Sequence, residues 1–307
     1  MSRLRFVWRA VAYRLHRNRH ELAALRNHIA PGDIVIDIGS HKGGFLYWLV
    51  RYAGPRGHVY AFEPQPQLAA YLRQIVARCG WTNVTLEAAA VSERAGTLDL
   101  MIPAAAGQSS PGATLSRVDD AGPYHRVPVP VVALDAYVDA RVASHPGPLA
   151  GRAESGPAAG PAESEGRAGP FGPAGPARVA AIKCDVEGHE LEVFRGAERL
   201  LRESRPVLLF ECEARHMTGG RTPNDVFDYL QARGYRGQFF SPRGLRPIEE
   251  FRLDLHQRPG AGRFWRAKDY CNNFLFVPDE PGGKKESGIR SQESPDFLTP
   301  PDRLTQP

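Results

Sequence analysis

Apolar residues along the chain form two alternating patterns, which are short continuous runs and longer segments with helical spacing. Continuous runs rich in β-branched residues predict buried strands, and apolar positions at helical spacing predict amphipathic helices. The predicted strands are Asp33–Ile38, His58–Phe62, Val84–Ala90, Val179–Cys184, Val207–Glu211, Tyr235–Phe240 and Asn273–Val277. The predicted helices are Phe45–Tyr52, Gln67–Cys79 and the segments at about 190–203 and 223–233. This alternation predicts an α/β fold with a mostly parallel sheet covered by helices on both faces.

Two kinds of segment depart from this alternation and define the predicted domain organisation. Leu98–Ile102 and Val127–Leu134 are short β-type pieces, which predict a β excursion away from the main sheet. Residues 143–178 and 279–307 are rich in proline and in small or polar residues, so they bury too little apolar surface to offset the entropy of ordering. We therefore predict one domain over residues 20–278 with a disordered insertion at 143–178, preceded by a basic helix within 1–19 and followed by a disordered tail at 279–307.

The N-terminal region holds most of the charge asymmetry of the chain. The formal net charge is only +5, with 39 Lys and Arg against 34 Asp and Glu, so no nucleic-acid partner is predicted. The basic residues that concentrate near the N-terminus, against the single acid Glu21, are Arg3, Arg5, Arg9, Arg14, Arg17, Arg19 and Arg26. A helix over residues 3–17 would carry Leu4, Val7, Trp8, Val11 and Leu15 on one side. Such a helix either contacts an anionic membrane surface weakly or packs over the core as a lid.

The cysteine pattern and the hydropathy of the chain indicate a cytoplasmic protein. Cys79, Cys184, Cys212 and Cys271 occur singly, without the short spacings of a zinc or redox motif, and are predicted to be reduced core thiols. Arg9 and Arg14 interrupt the apolar residues after Met1, so no signal peptide is predicted. No apolar stretch has the length of a membrane span.

The first strand ends in a glycine bend that is typical of a ligand site. Gly39 and Gly43 lie two and six residues after Asp37 and lead into the first helix, so the backbone can approach a ligand at a helix N-terminus. Glu63, at the end of the second strand, is an acid at the position that commonly binds ribose hydroxyls in nucleoside sites. A dinucleotide-binding dehydrogenase is a competing interpretation, but its GxGxxG motif requires glycine where this chain has His41.

A second polar cluster follows the fourth strand, where Asp185, Glu187, His189 and Glu190 occur within one turn. The carboxyl ends of strands in an open α/β sheet border the ligand crevice, which places these groups beside a bound cofactor. Asp185, Glu187 and His189 are the predicted catalytic residues, with His189 or Asp185 as general base or as base and orienter. The alternative is that these side chains only cap the following helix.

A divalent ion is a further alternative at the same strand ends. Asp185 together with Glu211 or Glu213 could build an oxygen site for Mg²⁺. The spacing does not decide whether a metal is bound.

Several motifs resemble those of the FkbM-type methyltransferases in order and spacing. They are VIDIGSHKGGF at 35–45, AFEP at 61–64, AAVSERAGTL at 89–98, VPVPVVALDAY at 127–137 and IKCDVEGHELEVFRGAERLL at 182–201. The resemblance implies a Rossmann-like class I methyltransferase fold, with a mostly parallel seven-stranded sheet and an antiparallel last strand. It also implies S-adenosyl-L-methionine as methyl donor, with Asp37, Gly39, Ser40 and Gly43 at its methionine end, Glu63 at the ribose and Ala90 at the adenine.

The function implied by the resemblance is O-methylation of a hydroxyl on a sugar or natural-product type acceptor, so a small molecule or glycan is the expected partner. The alternative is a regulatory module that keeps the fold and binds the nucleoside without catalysis. An intact DVEGHE sequence at 185–190 favours the enzyme.

Overall fold

A computed structural model of the protein describes residues 3–16, 18–104, 112–115, 124–142, 178–260 and 267–279. The strands in chain order are β1 Ile34–Ile38, β2 His58–Phe62, β3 Val84–Glu87, β4 Ala90–Val91, β5 Gly96–Pro103, β6 Tyr124–Val132, β7 Val179–Cys184, β8 Val207–Glu211, β9 Tyr235–Ser241, β10 Gly244–Pro247 and β11 Asn273–Pro278. The α-helices are α1 Arg3–His16, α2 Arg19–His28, α3 Gly44–Ala53, α4 Pro66–Cys79, α5 Leu134–Tyr137, α6 Glu190–Arg195, α7 Glu198–Glu203, α8 Pro223–Gln231 and α9 Leu253–His256.

The main sheet has eight strands in the order β10-β9-β11-β8-β7-β1-β2-β3. The pairs from β3 through β2, β1 and β7 to β8 are parallel, and β11 runs antiparallel to both β8 and β9. Every residue of β1 and β2 is buried, which is why these strands are apolar in the sequence apart from Asp37 and His58. The prediction of a Rossmann-like, mostly parallel sheet with an antiparallel last strand is confirmed. The eighth strand, β10, forms a hairpin with β9 that the sequence analysis missed.

The predicted β excursion is a separate three-stranded sheet in the order β4-β6-β5. Ala90, which was assigned to the end of the third strand, pairs instead with Val131 of this second sheet, beside the pair of Val91 with Val132. The main-sheet strand therefore ends at Glu87. The prediction that a strand continues to Leu134 is wrong, because Leu134 already begins α5.

The helix predicted at 190–203 is divided into α6 and α7 around Gly196. A Cβ atom at this position would lie 2.2 Å from the backbone oxygen of Ser92. The chain therefore passes so close to the loop after β4 that only glycine fits.

Helix α1 packs over the core through Phe6 and Ala10, each of which is 1% exposed. The apolar side that the sequence pattern identified points the other way, because Leu4, Trp8 and Leu15 are exposed. Among the described residues no helix has the length and apolar character needed to cross a membrane. The predicted disordered insertion and tail lie outside the described residues, except for Arg178 and Asp279.

Candidate functional site

A cavity of about 230 Å³ lies at the carboxyl-terminal edge of β1, β2 and β7. The parallel register pairs Ile38 with Phe62 on one side and with Cys184 on the other, so the residues that follow these three strands lie next to one another. The polar walls of the cavity are formed by residues that follow these strands, and its apolar roof is formed mainly by residues of the second sheet. The lining residues are Tyr13, Ile38, Gly39, His41, Phe62, Glu63, Pro64, Gln65, Ala89, Ala90, Val91, Leu100, Ala113, Leu115, Asp185, Val186, Glu187 and Glu211.

Gly39 forms the bend that joins the two polar walls. Its φ is +74°, and a Cβ atom built on it would lie 1.9 Å from the backbone oxygen of Asp185. No side chain fits in that gap, and L residues rarely adopt this φ. The glycine therefore lets the end of β1 lie directly against the residue that follows β7.

Glu63 is a buried carboxyl group in the wall beyond β2. Its Oε2 accepts a hydrogen bond from the backbone N–H of His41 (2.7 Å), and its Oε1 accepts one from the backbone N–H of Gln65 (2.9 Å). Burial raises the pKa of Glu63 to about 7 although both hydrogen bonds favour the ionised form. Burial also lowers the pKa of His41 to about 4, so its imidazole is neutral at physiological pH.

Lys183, a buried residue of β7 that the sequence analysis missed, connects the glycine bend to the acidic wall. Its Nζ donates to the backbone oxygens of Gly39 (3.0 Å) and Ile38 (3.3 Å). The same Nζ lies 3.7 Å from Asp37 Oδ1 and 3.6 Å from Asp185 Oδ2. Burial alone would lower the pKa of Lys183, but the two carboxylates raise it above its usual value, so the lysine is charged.

Asp185 and Glu187 form the acidic wall together with Glu211. The Asp185 side chain is 33% exposed, whereas the Asp37 side chain is fully buried. Glu211 accepts a hydrogen bond from Asn272 Nδ2 (2.7 Å). Burial and the neighbouring carboxylates raise the pKa of Glu211 well above its usual range.

Glu187 is paired with His216, which lies in the short 3₁₀ turn Ala214–His216 after β8. The distance between Glu187 Oε2 and His216 Nδ1 is 2.5 Å. Burial by itself would lower the pKa of His216, but the hydrogen bond to Glu187 more than offsets this and raises it. A Cβ atom at Gly188 would lie 2.3 Å from the His216 backbone oxygen, so the glycine permits this close approach. Thr114 Oγ1 donates to the Glu187 backbone oxygen (2.7 Å) and fixes the turn from the other side.

Four of the predicted site residues do not line the cavity, namely Asp37, Ser40, Gly43 and His189. Asp37 is fully buried behind the bend, and burial raises its pKa despite the nearby Lys183. Ser40 is also buried, and its Oγ donates to the Asp37 backbone oxygen (3.2 Å). Gly43 lies under Phe6 of α1. Asp37, Ser40 and Gly43 therefore support the bend from behind.

His189 is held on the far side of its turn. Its Nε2 is hydrogen-bonded with Ser92 Oγ (2.9 Å), and its Nδ1 lies 3.7 Å from Glu192 Oε2. Burial lowers the pKa of His189 although Glu192 opposes the shift. Of the three predicted catalytic residues, Asp185 and Glu187 therefore line the cavity and His189 does not.

The carboxylates around the cavity do not fit a divalent metal ion. In the part of the chain that the structure describes, Glu187, Glu213 and His216 offer ligand atoms within 4.8 Å of one another. However, Arg215 Nε lies 2.5 Å from Glu213 Oε2, and this contact lowers the pKa of Glu213 to about 2 in spite of burial. The charges of Glu213 and Glu187 are thus already balanced by Arg215 and His216, and that of Asp185 by Lys183.

The roof of the cavity could not be read from local sequence patterns. Leu100, Ala113 and Leu115 belong to the β5 region and the segment beside it, and Tyr13 comes from α1. Each is distant in sequence from the glycine bend, and no motif marks it. The roof is apolar, whereas the walls are acidic.

Comparison with known proteins identifies the family. The sequence-family model of the methyltransferase FkbM domain matches residues 37–146 and 171–236, which is more than half of the chain. A curated relative, the protein-L-isoaspartate O-methyltransferase of Ignicoccus hospitalis, is 32% identical over 105 residues, covering 33% of this chain and 48% of the relative. The chain thus spans about half the length of that relative.

Similar solved structures share little sequence with this chain. An FkbM methyltransferase from Methylobacillus flagellatus is 14% identical with a TM-score of 0.43, covering 90% of this chain and 54% of that one. A SAM-dependent methyltransferase from Aquifex aeolicus is 14% identical with a TM-score of 0.41, covering 90% and 98%. An rRNA methylase from Streptococcus thermophilus is 12% identical with a TM-score of 0.42, covering 87% and 99%. These similarities carry no information about the acceptor, and the family assignment rests on the domain match: the chain belongs to the FkbM methyltransferase domain family.

Proposed function

We propose that this protein transfers a methyl group from S-adenosyl-L-methionine to a hydroxyl group of an uncharged acceptor of sugar or natural-product type. One observation carries the proposal, which is that Glu63 and the Asp185–Glu187 wall line a single cavity on the two sides of Gly39. A nucleoside-binding acid and a proton acceptor are both needed for this reaction, and this arrangement supplies them at one strand edge.

The residues around the bend fit the methyl donor. Glu63 presents a carboxyl group whose two oxygens are held in place by backbone N–H groups, which suits the two hydroxyls of a ribose. Ala89, Ala90 and Phe62 supply an apolar surface for the adenine. When bound, the donor supplies a methyl group on a positively charged sulfur. The carboxylates of the acidic wall favour that charge.

Asp185 is the proposed proton acceptor. Methyl transfer from a sulfonium is an in-line displacement, so the protein aligns the acceptor and removes its proton. Lys183 Nζ lies beside Asp185 Oδ2 and holds the carboxylate in one orientation, which leaves Oδ1 to take the proton of the hydroxyl. Glu187, fixed by His216, is the second group that orients the acceptor.

The charge of the cavity supports an uncharged acceptor. The carboxylates of Asp185 and Glu187 would repel a phosphate or a carboxylate, whereas a hydroxyl donates a hydrogen bond to them. Leu100, Ala113 and Leu115 offer an apolar surface for the remainder of the acceptor. The curated relative is also named for O-methylation, but of a protein isoaspartate, which is a different class of acceptor from the one proposed here.

A labelled-methyl screen tests the function. Purified protein is incubated with donor labelled in the methyl group and with fractionated extract, and labelled products are identified by mass spectrometry. We expect label on a neutral hydroxylated compound. Label on an amine, a carboxylate or RNA would contradict the proposed acceptor, and donor binding without any transfer would favour the regulatory module.

The substitution Asp185→Asn tests the proton acceptor, with Asp254→Asn on the exposed surface of α9 as matched control. We expect Asp185→Asn to lower kcat by about 10²-fold to 10⁴-fold, because a positioned base contributes that much, while the Kd of the donor changes only a few-fold. The control retains full activity. If Asp185→Asn abolishes donor binding, Asp185 belongs to the donor site instead.

A further inference from the structure

The outer face of α1 is an exposed apolar surface that methyl transfer does not use. It consists of Leu4, Trp8, Val11 and Leu15, which are 81%, 73%, 36% and 62% exposed, and we name it the α1 surface. Their spacing places all four on one side of the helix. Among the described residues only seven large hydrophobic side chains are exposed, and these four are the majority of them. Such clustering on one face indicates a binding surface rather than chance exposure.

The opposite face fixes α1 to the domain, so the surface is presented by a rigid element. Phe6 packs edge-on against the rings of Tyr47 (5.9 Å) and Trp81 (6.0 Å). Trp48 Nε1 donates to the backbone oxygen of Ala10 (2.8 Å). The apolar outer residues therefore cannot turn inwards without breaking these contacts.

The charged side chains of α1 itself are all positive. Helix α1 contains no acidic residue, and the exposed residues Arg3 and Arg5 flank Leu4. A groove beside the helix is lined by Arg3, Leu4, Val7, Tyr47, Arg51 and Trp81, together with Cys79. Arginine next to exposed leucine and tryptophan is the combination that binds at the boundary between anionic headgroups and acyl chains.

We propose that the α1 surface binds an anionic lipid bilayer, with Leu4, Trp8, Val11 and Leu15 inserted at the level of the headgroups and Arg3 and Arg5 beside the lipid phosphates. A second copy of the chain fits less well, because two α1 helices would bring arginines together without an acid between them. RNA would pair with the arginines but would leave the leucines exposed to water. Tyr13 of the same helix lines the cavity, so lipid binding would bring the cavity close to the headgroups.

Co-sedimentation of the full chain with vesicles tests lipid binding. One set contains phosphatidylcholine alone and the other contains about one quarter phosphatidylglycerol, at about 0.1 M and about 0.5 M salt. We expect at least about ten-fold tighter binding to the anionic vesicles, with the preference lost at the higher salt concentration. Binding that is equal on both sets, or no binding to either, would overturn the proposal.

Variants locate the binding to the α1 surface. Leu4→Ser combined with Trp8→Ser should weaken vesicle binding by about ten-fold or more, and Leu255→Ser, at a residue of α9 that is 56% exposed, is the matched control. Circular dichroism and donor binding should be unchanged in all variants, since these side chains lie on the outside. Unchanged vesicle binding in the double variant would overturn the proposal. A dimer or an RNA complex that is detected by analytical ultracentrifugation and is abolished by the double substitution would also overturn the proposal.

Discussion

Glu63 should make binding of the methyl donor dependent on pH near neutrality. Burial raises the pKa of this carboxyl group to about 7. Only the ionised form accepts hydrogen bonds from both ribose hydroxyls, so the donor binds the deprotonated protein more tightly. Protonation competes with binding below the pKa, and the affinity should therefore rise as the pH increases through about 7.

The size of the effect follows from the fraction of ionised Glu63. With a pKa of about 7, about one molecule in eleven is ionised at pH 6 and about ten in eleven at pH 8. The Kd at pH 6 should therefore be about ten-fold higher than at pH 8, which corresponds to about 1.4 kcal/mol. His41 adds nothing to this dependence, because its pKa of about 4 keeps it neutral across the range.

Isothermal titration calorimetry at several pH values measures the effect, with Glu63→Gln as the test variant. At pH 8 this variant should bind the donor about ten-fold to hundred-fold more weakly, because it loses charged hydrogen bonds, and it should show no step near neutrality. Glu87→Gln, at the end of the neighbouring strand β3 and outside the cavity wall, is the matched control. An identical pH dependence in Glu63→Gln and wild type, or an unchanged Kd in the variant, would refute the ribose role.

Four further substitutions test the framework of the site, and equilibrium unfolding in urea or pH–rate profiles are the measurements. Gly39→Ala should lower the free energy of unfolding by more than about 2 kcal/mol, because it combines a positive φ with a clash against backbone; full stability would show that the bend can relax. Lys183→Met should cost about 3–5 kcal/mol by leaving two carboxylates without their buried cation. His216→Asn should move the acidic limb of the kcat/KM profile to higher pH, because burial raises the pKa of Glu187 and His216 opposes that shift; an unmoved limb would separate Glu187 from the reaction. Glu190→Gln should gain stability over wild type as the pH rises from about 4.5 to about 8, since burial raises the pKa of Glu190 to about 8 in the folded protein while the unfolded chain ionises at the ordinary pKa of 4.5; a constant difference between pH 5 and pH 9 would contradict this.

The strands and bends next to the cavity were predictable because their signals are local. His58–Phe62 was predicted at the boundaries that β2 has, and β1 differs from its prediction by one residue. A strand that is buried on both faces is mostly apolar, and the glycine or acid that follows it is then visible in the sequence. Gly39, Glu63 and Asp185 could be named for this reason, and all three line the cavity.

Local signals were insufficient where a motif has an inner and an outer side. Asp37, Ser40 and His189 belong to the same short motifs as the cavity residues, but their side chains point behind the bend or to the far side of the turn. The sequence gives the neighbours of such a residue along the chain, not the direction of its side chain. For α1, the apolar positions on one side of the helix were identified correctly. The side that is buried, however, is the other one, which carries Phe6 and Ala10.

The sequence alone therefore determined the order of strands and helices, the glycine bend and the acids at the strand ends, since each depends on residues that are close along the chain. Tertiary structure decided which of these groups meet. Lys183 reaches Asp185 and the Gly39 backbone oxygen because β1 pairs with β7, and His216 reaches Glu187 because Gly188 lets two distant loops touch. Contacts of this kind join segments that are far apart in sequence, so they depend on strand register and on backbone clearance, which no local pattern encodes.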